Sequence, residues 1–267
     1  MRFRANDAIA CALTTLLFWR ITGGLYYELL EDTRFSGAFG SSFQRYVGEV
    51  IQRACRGEGL HVFAEQEYGV GKARKDSVDW IVGDDASAIF LECKAKRLSW
   101  GSKEALGDLE ALHADIDIMA SAIIQIYKTI IDYTNDQYSH FRFDVNRKIY
   151  PVVVTLENWY FFGGRMLDML RIAVVSKLGQ AQIRAELLDD MPYSVWSIEE
   201  FEVAMQIIDA VGIQSFLDGK INDPEMKQWD LHAYMRRSYG NRFPAKTLFS
   251  DEYDEIFARL TDRKSVV

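Results

Sequence analysis

Residues 77–96, which read SVDWIVGDDASAIFLECKAK, decide the fold. Two runs of β-type residues flank a polar turn, a pattern that predicts an antiparallel hairpin. Asp79 lies in the first run, and Glu92 and Lys94 lie in the second, separated by Cys93. Because side chains alternate along a strand, Glu92 and Lys94 share one face and Cys93 points to the other. The hairpin brings the start of its first strand opposite the end of its second. The sequence therefore predicts two carboxylates and an ammonium group at one end of a sheet.

This group of side chains favours a metal site over a hydrophobic core. Neighbouring carboxylates repel each other, and partial burial raises the cost of each charge. Mg²⁺ prefers oxygen ligands, commonly takes one or two protein carboxylates and keeps several waters, so we expect Mg²⁺ or Mn²⁺ between Asp79 and Glu92. Such a metal acidifies a bound water and neutralises phosphoryl charge. Lys94 would hold or deprotonate that water, or stabilise the transition state. Two alternatives stay open: a surface hairpin with an exposed Lys–Glu pair, and Asp76 as the first acid.

The elements around the hairpin predict an α/β fold. Ser41 and Gln44 form a capping-box pattern, which predicts a helix from Ser41 to about Arg56. A strand follows over about residues 60–68, then the hairpin. Apolar residues recur at steps of three and four over residues 103–133, which predicts a long helix. The continuous apolar run KIYPVVVTLE that follows is typical of a buried strand. The order is therefore helix, strand, strand, strand, helix, strand.

The two flanks of this core are predicted to be helical. Residues 1–40 form an N-terminal helical segment, in which the apolar run Ala8 to Trp19 is too short for a membrane span and favours a buried helix over a targeting signal. Residues 41–160 form the core. Residues 161–267 are expected to be mostly helical and packed on the core. Within them a short extended piece, YSVW, precedes a helix with a capping box at Ser197 and Glu200.

Asp79 followed by Glu92-Cys93-Lys94 in the next strand resembles the motif of the PD-(D/E)XK nuclease superfamily, which includes restriction endonucleases and Holliday junction resolvases. Val78 stands where the family has proline. The bare motif is short, and its setting in the hairpin between two helices makes it specific. The resemblance covers about residues 41–157. It implies a restriction-endonuclease-like α-β-β-β-α-β core with a mixed central sheet.

The resemblance also implies residue roles and an activity. Asp79, Glu92 and the backbone carbonyl of Cys93 would coordinate the metal, and Lys94 would serve the nucleophile. Glu49 matches the glutamate that the first core helix of the family often adds to the metal site. The implied activity is a DNA endonuclease that hydrolyses phosphodiesters through a metal-bound water. A defence effector and a repair enzyme both fit, RNA is not excluded as substrate, and a catalytically silent nuclease-like module is the alternative.

Other residues carry weaker signals. Glu49 lies four residues from both Arg45 and Arg53, so a surface ion-pair ladder competes with its metal role. Basic residues are expected at the same end as the acids and would suit a phosphate backbone, although a solvated charged loop would look the same. These candidate nucleic-acid contacts are Lys72, Arg74, Lys75, Lys96 and Arg97, with Lys103 beside them.

Composition sets the remaining expectations. The chain has 267 residues, 49% of them hydrophobic, which is ample for a core, and a formal net charge of −8, which argues against a generally basic surface. Cys11, Cys55 and Cys93 are odd in number and far apart, which favours a reducing cytoplasm over a disulfide framework or zinc site. No membrane partner is expected. The helical flanks are candidate surfaces for a homo-oligomer or a partner protein.

Overall fold

The computed structural model describes residues 3–5, 8–10, 23–30, 32–57, 59–69, 71, 74–99, 102, 109–159, 164–240, 242–243 and 246–262, with the backbone alone for 3–5, 8–10, 257 and 259–262. The chain divides into two compact units, residues 1–42 and 43–267. Of the predicted site residues, Lys72 lies outside the described residues, as does the neighbouring Lys103.

The first unit begins with two short strands, β1 (Phe3–Ala5) and β2 (Ala8–Ala10), which pair antiparallel with Phe3 opposite Ala10. The prediction of a helix from Ala8 is therefore wrong for Ala8–Ala10, because these residues satisfy their backbone groups by pairing with β1. Residues 11–19 of that predicted helix lie outside the described residues. A five-residue helix, α1 (Leu25–Leu29), follows.

The next helix, α2 (Thr33–Ala54), begins eight residues before the predicted start. Ser41 does not cap it. The Ser41 and Ser42 hydroxyls donate to the carbonyls of Gly37 and Ala38 at 3.1 and 2.8 Å, four residues back within the same helix. Serine favours helix caps, but inside a helix its hydroxyl can instead donate to the carbonyl four residues back, and a capping pattern alone does not separate the two positions.

The second unit contains a mixed five-stranded sheet of order β3-β6-β7-β8-β9. Its strands are β3 (His61–Ala64), β6 (Trp80–Gly83), β7 (Ser87–Lys94), β8 (Lys148–Thr155) and β9 (Ser194–Ser197). The pairs β3–β6 and β6–β7 are antiparallel, whereas β7–β8 and β8–β9 are parallel. The strand β7 therefore lies at the centre, held on both sides. A separate small hairpin pairs β4 (Glu67–Tyr68) with β5 (Lys75–Asp76).

Helices cover both faces of this sheet. On one face, Ile81, Phe90 and Val153 pack against α3 (Leu109–Thr134) and α4 (Gly164–Gln180). On the other face, Val82, Ile89 and Leu91 pack against the part of α2 from Phe43 onward and against α6 (Ile198–Val211). Both faces of β7 are thus apolar over Ala88–Leu91, which is why its run AIFL is continuous.

The remaining helices lie in the C-terminal part: α5 (Leu187–Asp190), α7 (Ile213–Ile221), a 3₁₀ turn (Met226–Gln228), α8 (Leu231–Tyr239) and α9 (Ser250–Asp262). The expected capping box is present, since Ser197 and Glu200 each accept a backbone N–H of the other. Within the described ranges, no helix combines the length and apolarity needed to cross a bilayer.

From Ser41 to Thr155 the large elements follow the predicted order of helix, three strands, helix and strand. Two features were not anticipated. Along the chain, the β4–β5 hairpin lies between β3 and β6. Three of the four residues of the extended piece YSVW belong to β9, a fifth strand of the central sheet.

Candidate functional site

The two predicted acids meet at one end of the β6–β7 hairpin. Trp80 at the start of β6 lies opposite Leu91, so the antiparallel register continues to Asp79 opposite Glu92. Asp79 directly precedes β6, and Lys94 is the last residue of β7. Asp76 instead lies exposed in β5, opposite Glu67. Asp79 rather than Asp76 is therefore the acid beside Glu92.

Glu92 is a buried carboxyl group with one satisfied oxygen. The residue is 3% exposed. Its Oε1 accepts a hydrogen bond from Lys94 Nζ at 2.7 Å, while Oε2 is buried and has no hydrogen-bond partner among the described residues. Burial raises the pKa of Glu92 to about 7; the Lys94 ammonium opposes the rise and the Asp79 charge adds to it. A buried carboxylate oxygen without a partner is costly, so this position suits a ligand that supplies positive charge.

Asp79 is fixed by the backbone of the next strand. Its Oδ2 accepts from the Cys93 N–H at 2.6 Å. Burial raises the pKa of Asp79, while the Cys93 N–H and the Lys94 charge oppose the rise. Both acids thus have a raised pKa chiefly because they are removed from water, and the Asp79 charge makes Glu92 harder still to ionise.

The Cys93 carbonyl points to the β6 side of β7, the side on which Asp79 lies. The Lys94 carbonyl accepts from Leu156 N–H at 3.3 Å, on the side of β8. Backbone groups of successive strand residues point to opposite neighbours. The Cys93 N–H and C=O therefore both point away from β8, and the N–H bond to Asp79 agrees with this direction.

The Cys93 side chain packs against the core on the α2 side, as strand alternation predicts. Its thiol nevertheless interacts with the Asp79 carboxylate, which the sequence did not indicate. Burial, followed by the charges of Asp79 and Glu92, raises the thiol pKa well above its ordinary value. Cys93 is therefore a neutral thiol beside the acids.

A third carboxylate, Glu65, lies at the same end and was missed from the sequence. Its N–H donates to the Asp79 carbonyl at 2.8 Å, and its charge contributes to raising the pKa of both Asp79 and Glu92. Gln44 of α2 donates to Glu65 Oε2 at 2.9 Å. The sequence carries no local signal for this position. Glu65 follows β3, and only the pairing of β3 with β6 brings it beside Asp79.

Glu49 lies elsewhere on α2. It is exposed, and its charge acts on Arg53, whose pKa is raised first by a hydrogen bond to Glu252 and further by Glu49. A position near Arg53 is what the surface ion-pair alternative for Glu49 predicts. The turn of α2 that faces the hairpin is instead formed by Gly48 and Gln44, since the Trp80 indole N–H donates to the Gln44 carbonyl at 2.9 Å. A metal role for Glu49 stays a prediction.

The described candidate phosphate contacts are engaged with acids. Arg74 lies 3.3 Å from Glu67, and Lys75 lies 2.7 Å from Asp132, a residue of α3 that also accepts from Tyr68. Both cations are more than half exposed. The Arg74–Glu67 pair is exposed on both sides and contributes little, so Arg74 could exchange Glu67 for a phosphate at small cost. Asp132 is buried, so removing Lys75 from it would leave a buried charge without its cation.

Lys96 and Arg97 are held more firmly. Lys96 Nζ lies 2.8 Å from Asp115, a residue of α3 that is 1% exposed and also accepts from Ser99 N–H and the Ser102 hydroxyl. Burial tends to raise the pKa of Asp115, but these hydrogen bonds lower it overall. Arg97 lies 3.6 Å from Glu157. These two ion pairs hold the segment that follows Lys94 in place. Lys96 and Arg97 therefore have acidic partners within the protein and do not form a free basic patch.

The side chains at this end suit a metal that needs few protein ligands. In the described part of the chain, no group of three or more His, Cys, Asp or Glu is close enough to hold an ion. Two carboxylates and the Cys93 carbonyl remain, and Mg²⁺ commonly takes one or two protein carboxylates and completes its shell with water. The unpartnered Glu92 Oε2 fits this donor set.

No protein-family model and no curated protein matches the chain. Among solved structures, the small subunit (R.BspD6I2) of the heterodimeric restriction endonuclease R.BspD6I is similar over 75% of this chain and 80% of that chain, with 10% sequence identity and a TM-score of 0.32. Similarity at this level establishes neither a family nor an activity for the chain.

Proposed function

We propose that the chain is a metal-dependent nuclease of the PD-(D/E)XK type that hydrolyses phosphodiester bonds in DNA. One observation carries the proposal. A buried glutamate has one oxygen on a lysine and the other without a partner among the described residues, with a half-buried second acid beside it. A carboxylate pair of this kind is unfavourable in an empty protein and favourable around a hard divalent cation.

In this proposal Asp79, Glu92 and the Cys93 carbonyl hold Mg²⁺ or Mn²⁺. The ion would supply positive charge to the phosphoryl oxygens and would make a nearby water more acidic. The Cys93 N–H keeps the Asp79 carboxylate oriented. Glu65 adds negative charge at the same place and is itself held by Gln44. We assign Glu65 the role of a positioning residue that favours cation binding.

Lys94 is proposed to orient the attacking water or a phosphoryl oxygen. Its Nζ is held by Glu92, yet 30% of its side chain is exposed, so the ammonium keeps hydrogen-bonding capacity toward solvent. Because an ammonium has three N–H donors, one can stay on Glu92 while another orients a water or a phosphoryl oxygen. The order of the large elements, helix, three strands, helix and strand, supports the same nuclease-like architecture.

The test is cleavage of supercoiled plasmid with Mg²⁺ or Mn²⁺, with EDTA as the metal-free control. We expect wild-type protein to nick or linearise the plasmid and Lys94→Ala to be slower by at least a hundredfold. Lys128→Ala is the matched control, because Lys128 is an exposed lysine of α3. Equal cleavage by Lys94→Ala and wild type would reject the role of Lys94. A parallel reaction with RNA tests the choice of DNA.

The ion pairs of the basic residues favour a second candidate, a catalytically silent nuclease-like module. Arg74, Lys75, Lys96 and Arg97 all lie within 4 Å of an acid, and the net charge is −8. Calorimetric titration with Mn²⁺ separates the two candidates. Binding that is lost in Asp79→Asn supports the nuclease, and a folded wild-type protein without any binding supports the silent module.

A further inference from the structure

A cavity of about 560 Å³ lies between the C-terminal end of α2, the helix α6 and the segment that leads into α9. Its lining includes none of the acids of the candidate site. Pockets for small ligands commonly measure about 300 to 1,000 Å³, so this cavity has the size for a mononucleotide-sized molecule. The proposed nuclease chemistry makes no use of it.

The walls of this cavity are basic. They carry Arg53, Arg56, Arg242 and Lys246, against two acids, Asp209 and Asp251. In the part of the chain that the structure describes, no ion pair joins Arg56, Arg242 or Lys246 to an acid. In a chain of net charge −8 this is a local excess of positive charge, and such an excess attracts anions.

The cations are carried on walls that are fixed in place. Gln206 of α6 donates through Nε2 to the Lys246 carbonyl at 3.1 Å and accepts from the Lys246 N–H at 2.9 Å. Arg53 of α2 donates to the Leu248 carbonyl at 3.0 Å and pairs with Glu252. The segment from Lys246 to Leu248 is therefore held at two points, which lowers the entropy cost of ordering it around a ligand.

The floor of the cavity is apolar and includes an aromatic ring. Ile207 is buried, and Leu248 and Phe243 are half-buried. Phe243 packs against Tyr239 with ring centroids 6.2 Å apart. An aromatic ring beside cations is a surface on which a base can stack while its phosphates meet Arg and Lys.

We propose that this cavity binds a nucleoside phosphate, with the phosphates held by Arg56, Arg242 and Lys246 and the base against Phe243 and Leu248. Guanidinium groups bind phosphate through paired N–H donors. The same chemistry is offered by a free nucleotide and by a nucleotide within a strand. The proposal takes the free nucleotide as the ligand, and an oligonucleotide titration separates the two sources.

Isothermal titration of the full chain with AMP, ADP and ATP in EDTA tests the proposal, because EDTA removes any contribution of a metal at the acids. We expect saturable binding, weakened at least tenfold in the double variant Arg242→Glu with Lys246→Glu. Both side chains are exposed, so the fold is expected to survive, and circular dichroism checks this. The control is Arg165→Glu with Arg184→Glu, two exposed arginines outside the cavity with the same change in charge. Equal loss in both double variants, or no saturation by the wild type at millimolar nucleotide, would overturn the proposal.

Two further arms identify the ligand class. Phe243→Leu keeps the cations and removes the ring, so AMP should bind several-fold more weakly while the response to inorganic phosphate stays unchanged. Inorganic phosphate binding as tightly as AMP would contradict recognition of a nucleoside. A short single-stranded oligonucleotide is the last arm. Oligonucleotide binding that depends on Arg242 and Lys246, without binding of free nucleotides, would overturn the assignment to a free nucleotide.

Discussion

Replacing Glu92 with glutamine changes how the stability of the protein depends on pH. Burial raises the pKa of Glu92 from an ordinary value of 4.5 to about 7. The folded protein therefore keeps the Glu92 proton at pH values where the unfolded chain has lost it. A proton held more tightly by the folded state favours folding at low pH, and this stability is lost as the pH rises from about 4.5 through about 7.

The size of the effect follows from the pKa change. Each pKa unit corresponds to about 1.4 kcal/mol, so the full effect is about 3 kcal/mol in the free energy of unfolding, most of it between pH 5 and pH 8. Glutamine is neutral throughout and can still accept a hydrogen bond from Lys94. Between pH 5 and pH 8, the free energy of unfolding of the wild type should therefore fall by about 2 to 3 kcal/mol more than that of Glu92→Gln.

Urea unfolding in EDTA at pH 5, 6, 7 and 8, followed by tryptophan fluorescence, measures this difference by linear extrapolation. Glu49→Gln is the control, because it makes the same chemical change at an exposed position of α2, and it should follow the wild type at every pH. Parallel pH curves for wild type and Glu92→Gln would show that Glu92 is not a buried, partly protonated acid, and the main argument for a cation beside it would fail.

Three further predictions test neighbouring parts of the structure. Mn²⁺ at about 100 times its dissociation constant should stabilise the wild type by about 2.7 kcal/mol in thermal unfolding, and Asp79→Asn should abolish that gain; an equal gain in both would place the metal elsewhere. A methyl group at Gly48 would overlap the indole of Trp80, so Gly48→Ala should cost about 1 to 3 kcal/mol in urea unfolding. Gly37→Ala in the same helix, where nothing lies within 4 Å, should be neutral or stabilising by up to about 1 kcal/mol; equal effects would contradict the contact. Asp115→Asn should cost about 1 to 3 kcal/mol, because a buried acceptor of several donors loses its charge, and an unchanged urea midpoint would refute that.

Local patterns were sufficient for much of the fold. The helix α3 is predicted by an apolar stripe, the hairpin by two β-type runs around a polar turn, and the start of α6 by the Ser197 capping box. Each of these signals depends on residues close in sequence. They also placed Asp79 beside Glu92, because the hairpin register is itself local.

The remaining features depend on contacts between distant residues. Glu65 reaches Asp79 only through the pairing of β3 with β6, and Lys96 meets Asp115 only because α3 packs against the sheet. No periodic pattern along the chain predicts these two contacts. The early start of α2 has a different reason, because the Ser41 and Ser42 hydroxyls bond helix carbonyls four residues back instead of capping a helix end.

The central position of β7 has a consequence for motion. Glu92 is carried on an eight-residue strand with neighbours on both sides, whereas Asp79 and Glu65 lie just beyond the ends of four-residue strands toward the sheet edge. Amide hydrogen exchange should therefore be slowest in β7 and faster on the β3 side. Transient opening at that edge would separate the carboxylates and release a bound ion while most of the domain stays folded.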